Sequence, residues 1–262
     1  MSADRSLKEV VLSDRMSAVA HMVTKGNAVC DVGCDHGFIS IYLVKTGICP
    51  KAIAMDVRKG PLEAARKHVE DYALTDYIET RLSDGVTSLL PGEADTLICA
   101  GMGGKLMKRI LEEGREKVRS MKELILQPQS ELQGMREYLR EQGYLITDEN
   151  MILEDGKYYS VIKVQPTTGD IGQEELPVVS RQVDDKYGPV LLKRKNPILL
   201  GFLIKERALC EEILRDLEKS GEENGTQIDR RNMRRREIAG RIRDIDAALS
   251  YMDAGGAHSL IY

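Results

Sequence analysis

Two aspartates and two glycines alternate over seven residues near the start of this sequence, in the stretch Asp31-Val-Gly-Cys-Asp-His-Gly37. A short apolar run ends at Asp31, and a helical pattern of apolar residues begins at Phe38. A strand, a tight turn and a helix in this order begin a doubly wound α/β unit, whose ligands bind beyond the carboxyl ends of the strands. Gly33 and Gly37 tolerate positive φ and let a ligand approach the backbone. The stretch predicts a ligand-binding turn, although an ordinary strand-to-helix turn would use the same residues.

The residue types of this turn indicate which ligand it would hold. The spacing D-x-G-x-D-x-G lacks the close glycines with which a G-x-G-x-x-G turn holds a dinucleotide pyrophosphate, which disfavours an NAD-dependent dehydrogenase. Asp31 and Asp35 suit a ligand with ammonium and hydroxyl groups better than one with phosphates. S-adenosylmethionine carries an ammonium group and a ribose, and we expect it as the cofactor.

Three further strand ends carry residues that match the other parts of this cofactor. Asp56 follows Gly33 by 23 residues, near the offset of about 20 at which doubly wound folds place an acid on ribose hydroxyls. Asp84, next to Gly85, could accept from the adenine amine, and the glycines of Ala100-Gly-Met-Gly-Gly104 would admit a flat base to the sulfonium. Each feature alone also fits a cap, a turn or an anion nest. Four of them in fold order favour a methyltransferase.

The elements that must position these residues follow from the apolar periodicity. Five strands are predicted at 28–31, Lys51–Asp56, Tyr77–Leu82, Asp95–Ala100 and Lys122–Gln127, with helices after the first, second and fourth. Ser13 is the expected N-cap of a preceding helix, and Ser130–Arg140 the expected helix after the fifth strand. Two more strands, 144–154 and 157–164, flank Asp155-Gly156, a strong hairpin signal. Repeated βα units that end in an antiparallel hairpin are typical of the doubly wound class I methyltransferase fold.

The pattern changes after residue 166. Gln165–Asp170 has the composition of a linker, so we predict a Rossmann-like methyltransferase domain over 1–166 and a linker with a helical domain over 167–262. Two apolar stripes follow, separated by a loop at 221–225. The stripes are Phe202, Leu209, Ile213 and Leu217, then Ile238, Ile242, Ile245 and Leu249. They predict an antiparallel coiled-coil hairpin.

Composition limits the protein class. The chain has 262 residues, of which 42% are hydrophobic and 31% are charged, so a sizeable core is expected. Its cysteines number five and form no C-x-x-C pair, so no metal site is predicted. The odd cysteine count and the lack of an apolar signal segment favour a cytoplasmic protein. No run approaches the roughly 20 apolar residues of a membrane span.

A nucleic-acid surface would have to be local, because the net charge is -4. Basic clusters occur at Lys193-Arg194-Lys195 and at Arg234-Arg235-Arg236. Contact with phosphates is one interpretation. The alternative is a solvated helix face whose arginines pair with the many nearby glutamates.

The sequence resembles the bacterial tRNA adenine-22 N1-methyltransferases over most of its length. Leu12-Ser-Asp-Arg-Met16 is similar to the L-S-x-R-L of that family, and 31–37 is similar to its D-I-G-S-D-H-A. The other segments with counterparts are Ala52-Ile-Ala, Lys59-Gly-Pro61, Ser83-Asp-Gly85, Ala100-Gly-Met-Gly-Gly104, Leu126-Gln-Pro128 and Gly188-Pro189.

The resemblance implies a class I methyltransferase that modifies N1 of adenine 22 in tRNA with S-adenosylmethionine. The expected cofactor-binding residues are Arg15, Asp31, Gly33, Asp35, His36, Gly37, Asp56, Val57, Asp84, Gly85, Ala100, Gly101, Met102 and Gly103. The expected RNA-binding residues are Lys105, Arg109, Lys193, Arg194, Lys195, Arg234, Arg235 and Arg236; Lys105 and Arg109, with Arg15, would line the path of the RNA. No catalytic base is assigned, because adenine N1 already carries a lone pair. His36 would shape the turn, with a general-base role as the alternative.

Three residues depart from the family pattern. Asp56 stands where the family usually has Glu, Ser160 follows Tyr159 where Glu is common, and Asp14 replaces a frequent Lys. The last change reverses a charge near the expected RNA path.

Two other functions fit the same sequence. A small-molecule methyltransferase with a helical dimerisation arm would bind the cofactor but leave tRNA unmodified. A catalytically silent RNA-binding scaffold would bind tRNA but not the cofactor. We expect tRNA as the partner and a monomer as the oligomeric state.

Overall fold

A computed structural model describes residues 9–167, 177–219 and 225–254, without the side chains of residues 219 and 225–227. The chain forms two compact units, Met1–Glu174 and Glu175–Tyr262. None of the helices in these described ranges is long and apolar enough to cross a membrane.

A seven-stranded sheet organises the first unit. Its strands are β1 Val29–Val32, β2 Ala52–Asp56, β3 Ile78–Leu82, β4 Thr96–Met102, β5 Glu123–Pro128, β6 Tyr144–Glu154 and β7 Lys157–Pro166. The spatial order is β3-β2-β1-β4-β5-β7-β6, with the first five strands parallel and β7 antiparallel to both neighbours. Every residue of β1, β2 and β5 is buried, as expected for parallel strands covered on both faces. The predicted class I methyltransferase sheet is confirmed.

Six helices surround this sheet in the part of the chain that the structure describes. They are α1 Asp14–His21, α2 Phe38–Lys45, α3 Lys59–Asp71, α4 Gly104–Glu113, α5 Arg115–Arg119 and α6 Leu132–Glu141. The hydroxyl of Ser13 accepts from the Met16 N–H, which confirms the predicted cap of α1. The predicted start of α6 at Ser130 is wrong, because Glu131 has a φ of +59°, outside the range of a right-handed helix.

The hairpin of β6 and β7 turns at the predicted dipeptide. Asp155 and Gly156 have φ values of 49° and 75°, as a type I′ turn requires. Glu154 pairs with Lys157 directly beside the turn. The hairpin places β7 against β5, so the sheet ends in two antiparallel strands.

The second unit is helical in its described residues. Its helices are α7 Arg181–Tyr187, α8 Pro189–Lys193, α9 Pro197–Lys219 and α10 Gly225–Asp253. The predicted hairpin is formed by α9 and α10. The ion pairs of Arg207 with Asp246 and of Arg235 with Glu218 show that the two helices run antiparallel. No individual helix was predicted for the segment that forms the short helices α7 and α8.

The buried face of α9 differs from the predicted stripe. Leu209 is 54% exposed, whereas Leu199, Leu203 and Cys210 are buried. Glu206 lies on this same face and is buried because it pairs with Arg241 of α10. Because this buried face contains a charged residue, the spacing of apolar residues in the sequence does not reveal it. In α10, Ile238 and Ile245 are buried as predicted, while Ile242 and Leu249 are half-buried.

Candidate active site

The sheet brings the predicted strand-end residues to one edge. Val32 at the end of β1 pairs with Met55 of β2 and Cys99 of β4, and Asp56 pairs with Leu82 of β3. The segments that follow these strands therefore leave the sheet side by side. Asp31, Asp56, Asp84 and Gly101 belong to four neighbouring strand ends, as the sequence predicted.

The turn after β1 is built from left-handed backbone. Gly33, Asp35 and Gly37 have φ values of 75°, 50° and 74°. A Cβ on Gly33 would lie 3.1 Å from Met102 Cε, and one on Gly37 would lie 3.1 Å from Ala65 Cβ. The amides of Gly33 and Cys34 donate to the Met55 carbonyl at 2.8 and 2.9 Å, which ties the turn to β2. Both glycines are needed for their conformation and for a close approach, Gly33 to Met102 and Gly37 to Ala65.

Asp31 is a buried carboxylate within this turn region. It is 2% exposed, and its Oδ2 accepts from the Ser40 hydroxyl at 3.0 Å. Burial raises the pKa of Asp31 to about 6; the Ser40 hydrogen bond opposes this rise, and the charge of Asp56 adds to it. Across the described parts of the chain no cation forms an ion pair with Asp31. A cationic ligand group would therefore stabilise its charged form.

Asp56 ends β2 and is linked to the first turn. Its Oδ1 accepts from the Arg58 N–H at 2.8 Å, and its Oδ2 lies 3.4 Å from the donating Asp35 N. Next to this buried carboxylate, Val57 and Leu82 are 60% and 47% exposed. An anionic group beside uncovered apolar side chains suits a ribose that carries a flat ring. Leu82 was missed in the sequence analysis because strand residues are expected to be covered.

Asp84 differs from the other two aspartates. It is exposed, and both of its oxygens accept from the Arg109 guanidinium, at 2.9 and 3.3 Å. The two residues had been predicted separately, Asp84 for the cofactor and Arg109 for RNA. Beside them lies a cavity of about 160 Å³ whose lining includes Gly85, Ile110 and Lys117.

The glycine run after β4 forms the other side of this edge. Gly101 has a φ of +76°, and its N–H donates to Gln127 Oε1 at 3.0 Å. The Arg15 guanidinium donates to the same oxygen at 3.2 Å. A Cβ on Gly104 would lie 2.6 Å from the Ser130 carbonyl oxygen, so the run packs tightly on the segment after β5. Gln127 belongs to the segment Leu126-Gln-Pro128, which resembles the family, but it was not predicted as a site residue.

His36 lies on the outside of the turn. Its side chain is 52% exposed and lies 3.8 Å from Asp35. Its ring centroid lies 6.2 Å from that of Phe38 and 5.7 Å from that of His68, whose Nδ1 contacts the His36 carbonyl oxygen at 3.0 Å. These contacts join the outer face of the turn to α2 and α3.

The predicted RNA-binding residues are at the surface but differ in their partners. Lys105 is exposed and lies 3.6 Å from Glu131. Arg234 and Arg235 pair with Glu237 and Glu218 at 2.8 and 3.2 Å. Arg236 is exposed, and no glutamate or aspartate pairs with it within the described ranges. Lys193 and Arg194 are also exposed, at the end of α8, and Lys195 follows them with a φ of 51°.

Two observations bear on other kinds of site. No group of three histidine, cysteine, aspartate or glutamate side chains in the described ranges could hold a metal ion. A cavity of about 510 Å³ lies at the opposite edge of the sheet, lined by residues that include Cys49, Tyr72 and Tyr77. None of the predicted site residues lines it.

The chain was compared with known proteins. Residues 12–162 match the family model described as a methyltransferase domain. The tRNA (adenine(22)-N(1))-methyltransferase of Bacillus subtilis is 32% identical over 216 residues, which are 82% of this chain and 90% of that protein.

Two similar solved structures contain a ligand. Streptococcus pneumoniae Sp1610 in complex with S-adenosyl-L-methionine has a TM-score of 0.74 and 30% identity, over 91% of this chain and 100% of that one. TrmK of M. capricolum in complex with S-adenosyl-homocysteine has a TM-score of 0.73 and 26% identity, over 92% and 99% of the two chains.

Proposed function

This chain belongs to the tRNA (adenine-22-N1)-methyltransferase family, and we propose that it transfers a methyl group from S-adenosylmethionine to N1 of adenine 22 in tRNA. The observation that carries the proposal is the convergence of four strand ends at one edge of the sheet. Relatives of this chain are named for the same reaction, and two of similar structure hold the cofactor or its product.

The residues at this edge fit the methyl donor. Asp31 is a buried carboxylate without a cationic partner in the described ranges, and the donor carries an ammonium group that would supply one. Asp56 offers carboxylate oxygens to a ribose diol, beside the uncovered side chains of Val57 and Leu82. A Cβ on Gly33 would lie 3.1 Å from Met102 Cε, so the turn and the glycine run lie side by side at this edge. The fit rests on complementary charge and shape.

We assign the cofactor contacts on this basis. Asp31 and Asp35 bind the ammonium group directly or through water, and the turn of Gly33, His36 and Gly37 encloses the methionine part. Arg15 would pair with the carboxylate of the methionine part. Asp56 and Val57 take the ribose and the adenine, with Asp84 and Gly85 at the adenine amine. Ala100, Gly101, Met102 and Gly103 line the reaction centre.

The protein has little covalent chemistry to perform. When bound, S-adenosylmethionine supplies a methyl group on a sulfonium, which the lone pair of adenine N1 attacks as the carbon–sulfur bond breaks. The side chains hold the donor, and the glycine run admits the base in line with the methyl group. No proton has to leave N1 before this step, so no residue is assigned as a general base.

The RNA surface is part of the proposal. Lys105 and Arg109 lie on α4, directly after the glycine run, and would meet phosphates near the target base. Lys193, Arg194, Lys195, Arg234, Arg235 and Arg236 would add contacts that do not depend on sequence. If adenine 22 is stacked in the folded tRNA, it must swing out of the stack to bring its N1 to the sheet edge.

We further propose that the enzyme works in the cytoplasm as a monomer. All five cysteines are buried and unpaired, which suits a reducing compartment. Light scattering on the purified protein measures the oligomeric state.

Incubation of the protein with labelled S-adenosylmethionine and unmodified tRNA transcripts tests the main proposal. We expect one methyl group per tRNA, mapped to N1 of adenine 22, and none on a transcript with guanine at that position. Cofactor binding without methylated tRNA would favour the small-molecule methyltransferase. Binding of tRNA without any heat of cofactor binding would favour the silent scaffold.

A further inference from the structure

A chain of polar contacts joins distant segments of the first unit to the backbone of Gly101. Glu154 at the end of β6 accepts from the Arg15 N–H at 3.0 Å, and its other oxygen lies 3.8 Å from Arg15 Nε. Arg15 Nη1 donates to Gln127 Oε1 at 3.2 Å, and the Gly101 N–H donates to the same oxygen at 3.0 Å. Gln127 therefore connects α1 and the β6–β7 hairpin to the glycine run.

The amide of Gln127 has only one orientation that satisfies these contacts. Both of its neighbours are donors, so the atom that faces them must be the oxygen. The side chain is 0% exposed, and its Nε2 has no hydrogen-bond partner in the described structure. A buried donor without a hydrogen-bond partner is destabilising. A leucine or methionine side chain would fill the same space without an unpaired donor. The feature that only the amide provides is therefore its acceptor oxygen.

The Gln127 oxygen binds the Gly101 N–H and the Arg15 guanidinium, and both groups lie where β4 leaves the sheet. Gly101 has left-handed backbone, with a φ of +76°, at the point where β4 leaves the sheet. The Arg15 guanidinium also lies 5.0 Å from the centroid of the Tyr159 ring, and its Nη1 lies 3.7 Å from where a Cβ on Gly101 would be. β5 is on the side of β4 away from β1 and β2, so Gln127 reaches the glycine run from the side opposite Asp31 and Asp56.

We propose that Gln127 is a positioning residue for methyl transfer. Its side-chain oxygen holds the Gly101 backbone and the Arg15 guanidinium at the place where the acceptor base meets the methyl group. This inference rests on the proposed function, because that function assigns the glycine run to the reaction centre.

Two substitutions separate the oxygen of Gln127 from the rest of its side chain. Gln127→Leu removes the acceptor but keeps the volume close to that of glutamine. Gln127→Glu keeps an acceptor for both donors and removes the donor that lacks a partner. We expect the leucine variant to lose about tenfold to a hundredfold in kcat, the size of effect that a small displacement in an active site produces. The glutamate variant should lose much less, and neither should greatly change KM for tRNA.

The control removes a buried amide at the opposite edge of the same sheet. Asn27 is 6% exposed, and its Nδ2 donates to Thr96 Oγ1 at 3.0 Å. Asn27→Leu should lower the melting temperature but leave kcat unchanged. This variant shows how much a general loss of stability contributes to the effect of Gln127→Leu.

Hydrogen exchange at the Gly101 amide, followed by NMR, provides a readout that does not need activity. Exchange should become faster in Gln127→Leu and stay slow in Gln127→Glu. Unchanged exchange in the leucine variant, or a kcat equal to that of the wild type, would overturn the proposal. If the wild-type protein methylates no tRNA, the proposed function fails, and the exchange data alone still decide whether Gln127 holds Gly101.

Discussion

Asp31 and the arginines of α10 differ in the burial of their charges and in whether an opposite charge lies beside them. Asp31 is in the protein interior with a hydroxyl as its hydrogen-bond donor, whereas Arg234 and Arg235 are near the surface with glutamates at 2.8 and 3.2 Å. Burial of a charge without a counter-charge is costly, while an exposed ion pair changes stability little. The buried aspartate therefore points to a ligand far more strongly than the arginine cluster does.

The largest effect is expected from removing the buried charge. Asp31→Ala should weaken cofactor binding by about tenfold to a hundredfold, since a hydrogen bond to a charged group is worth about 1.5–3 kcal/mol. Isothermal titration calorimetry measures the dissociation constant, and circular dichroism checks that the fold survives. Asp95→Ala is the control, because Asp95 accepts from the Ala28 N–H at the opposite edge of the sheet. An unchanged dissociation constant for Asp31→Ala would remove Asp31 from the site.

The pH dependence of binding tests the same residue without a large change of shape. The raised pKa of Asp31, about 6, means that the free protein loses this negative charge as the pH falls through 6. Cofactor affinity should therefore fall below pH 6, by at most about tenfold per pH unit. Asp31→Asn should bind weakly and lack this dependence. A wild-type affinity that is constant from pH 5 to pH 8 would contradict the assignment.

The arginines of α10 can be ranked by their partners. Arg236 is exposed and unpaired in the described ranges, whereas Arg234 has Glu237. If the cluster binds phosphates, Arg236→Glu should raise the tRNA dissociation constant severalfold and reduce the slope of log K against log salt by about 0.7–0.9. Arg234→Glu should have a smaller effect, because part of its charge is already neutralised. Equal affinities for all three proteins would assign the cluster to a solvated helix face.

The smallest effects are expected at the exposed pair of Asp84 and Arg109. Asp84→Ala should weaken cofactor binding only severalfold, because water competes for an exposed carboxylate. Arg109→Ala should leave the cofactor dissociation constant unchanged or slightly lower, since it frees both oxygens of Asp84, while KM for tRNA rises. Calorimetry and steady-state kinetics separate the two. A large loss of cofactor affinity in Arg109→Ala would mean that the pair acts as one cofactor-binding unit.

Residues close in sequence were predicted well. The turn at 31–37, the Asp155-Gly156 hairpin and the cap at Ser13 depend on local backbone preferences, which a short stretch of sequence displays. The order of strands and helices then places Asp31, Asp56, Asp84 and the glycine run at the same sheet edge. Local chemistry together with fold order was thus sufficient to predict the methyltransferase fold and the cofactor.

The tertiary structure alone decided the partners of side chains that are far apart in sequence. Asp84 and Arg109 looked like two independent sites, and only the fold brings Arg109 of α4 to Asp84 in the segment after β3. Gln127, Arg15 and Glu154 meet across more than 100 residues of chain, a distance that no periodicity encodes. The buried face of α9 could not be recognised from apolar spacing, because it contains Glu206. The charge of Glu206 is neutralised by a partner on another helix. Sequence spacing reports what a residue does within its own element, whereas hydrogen bonds and ion pairs between elements exist only once the chain has folded.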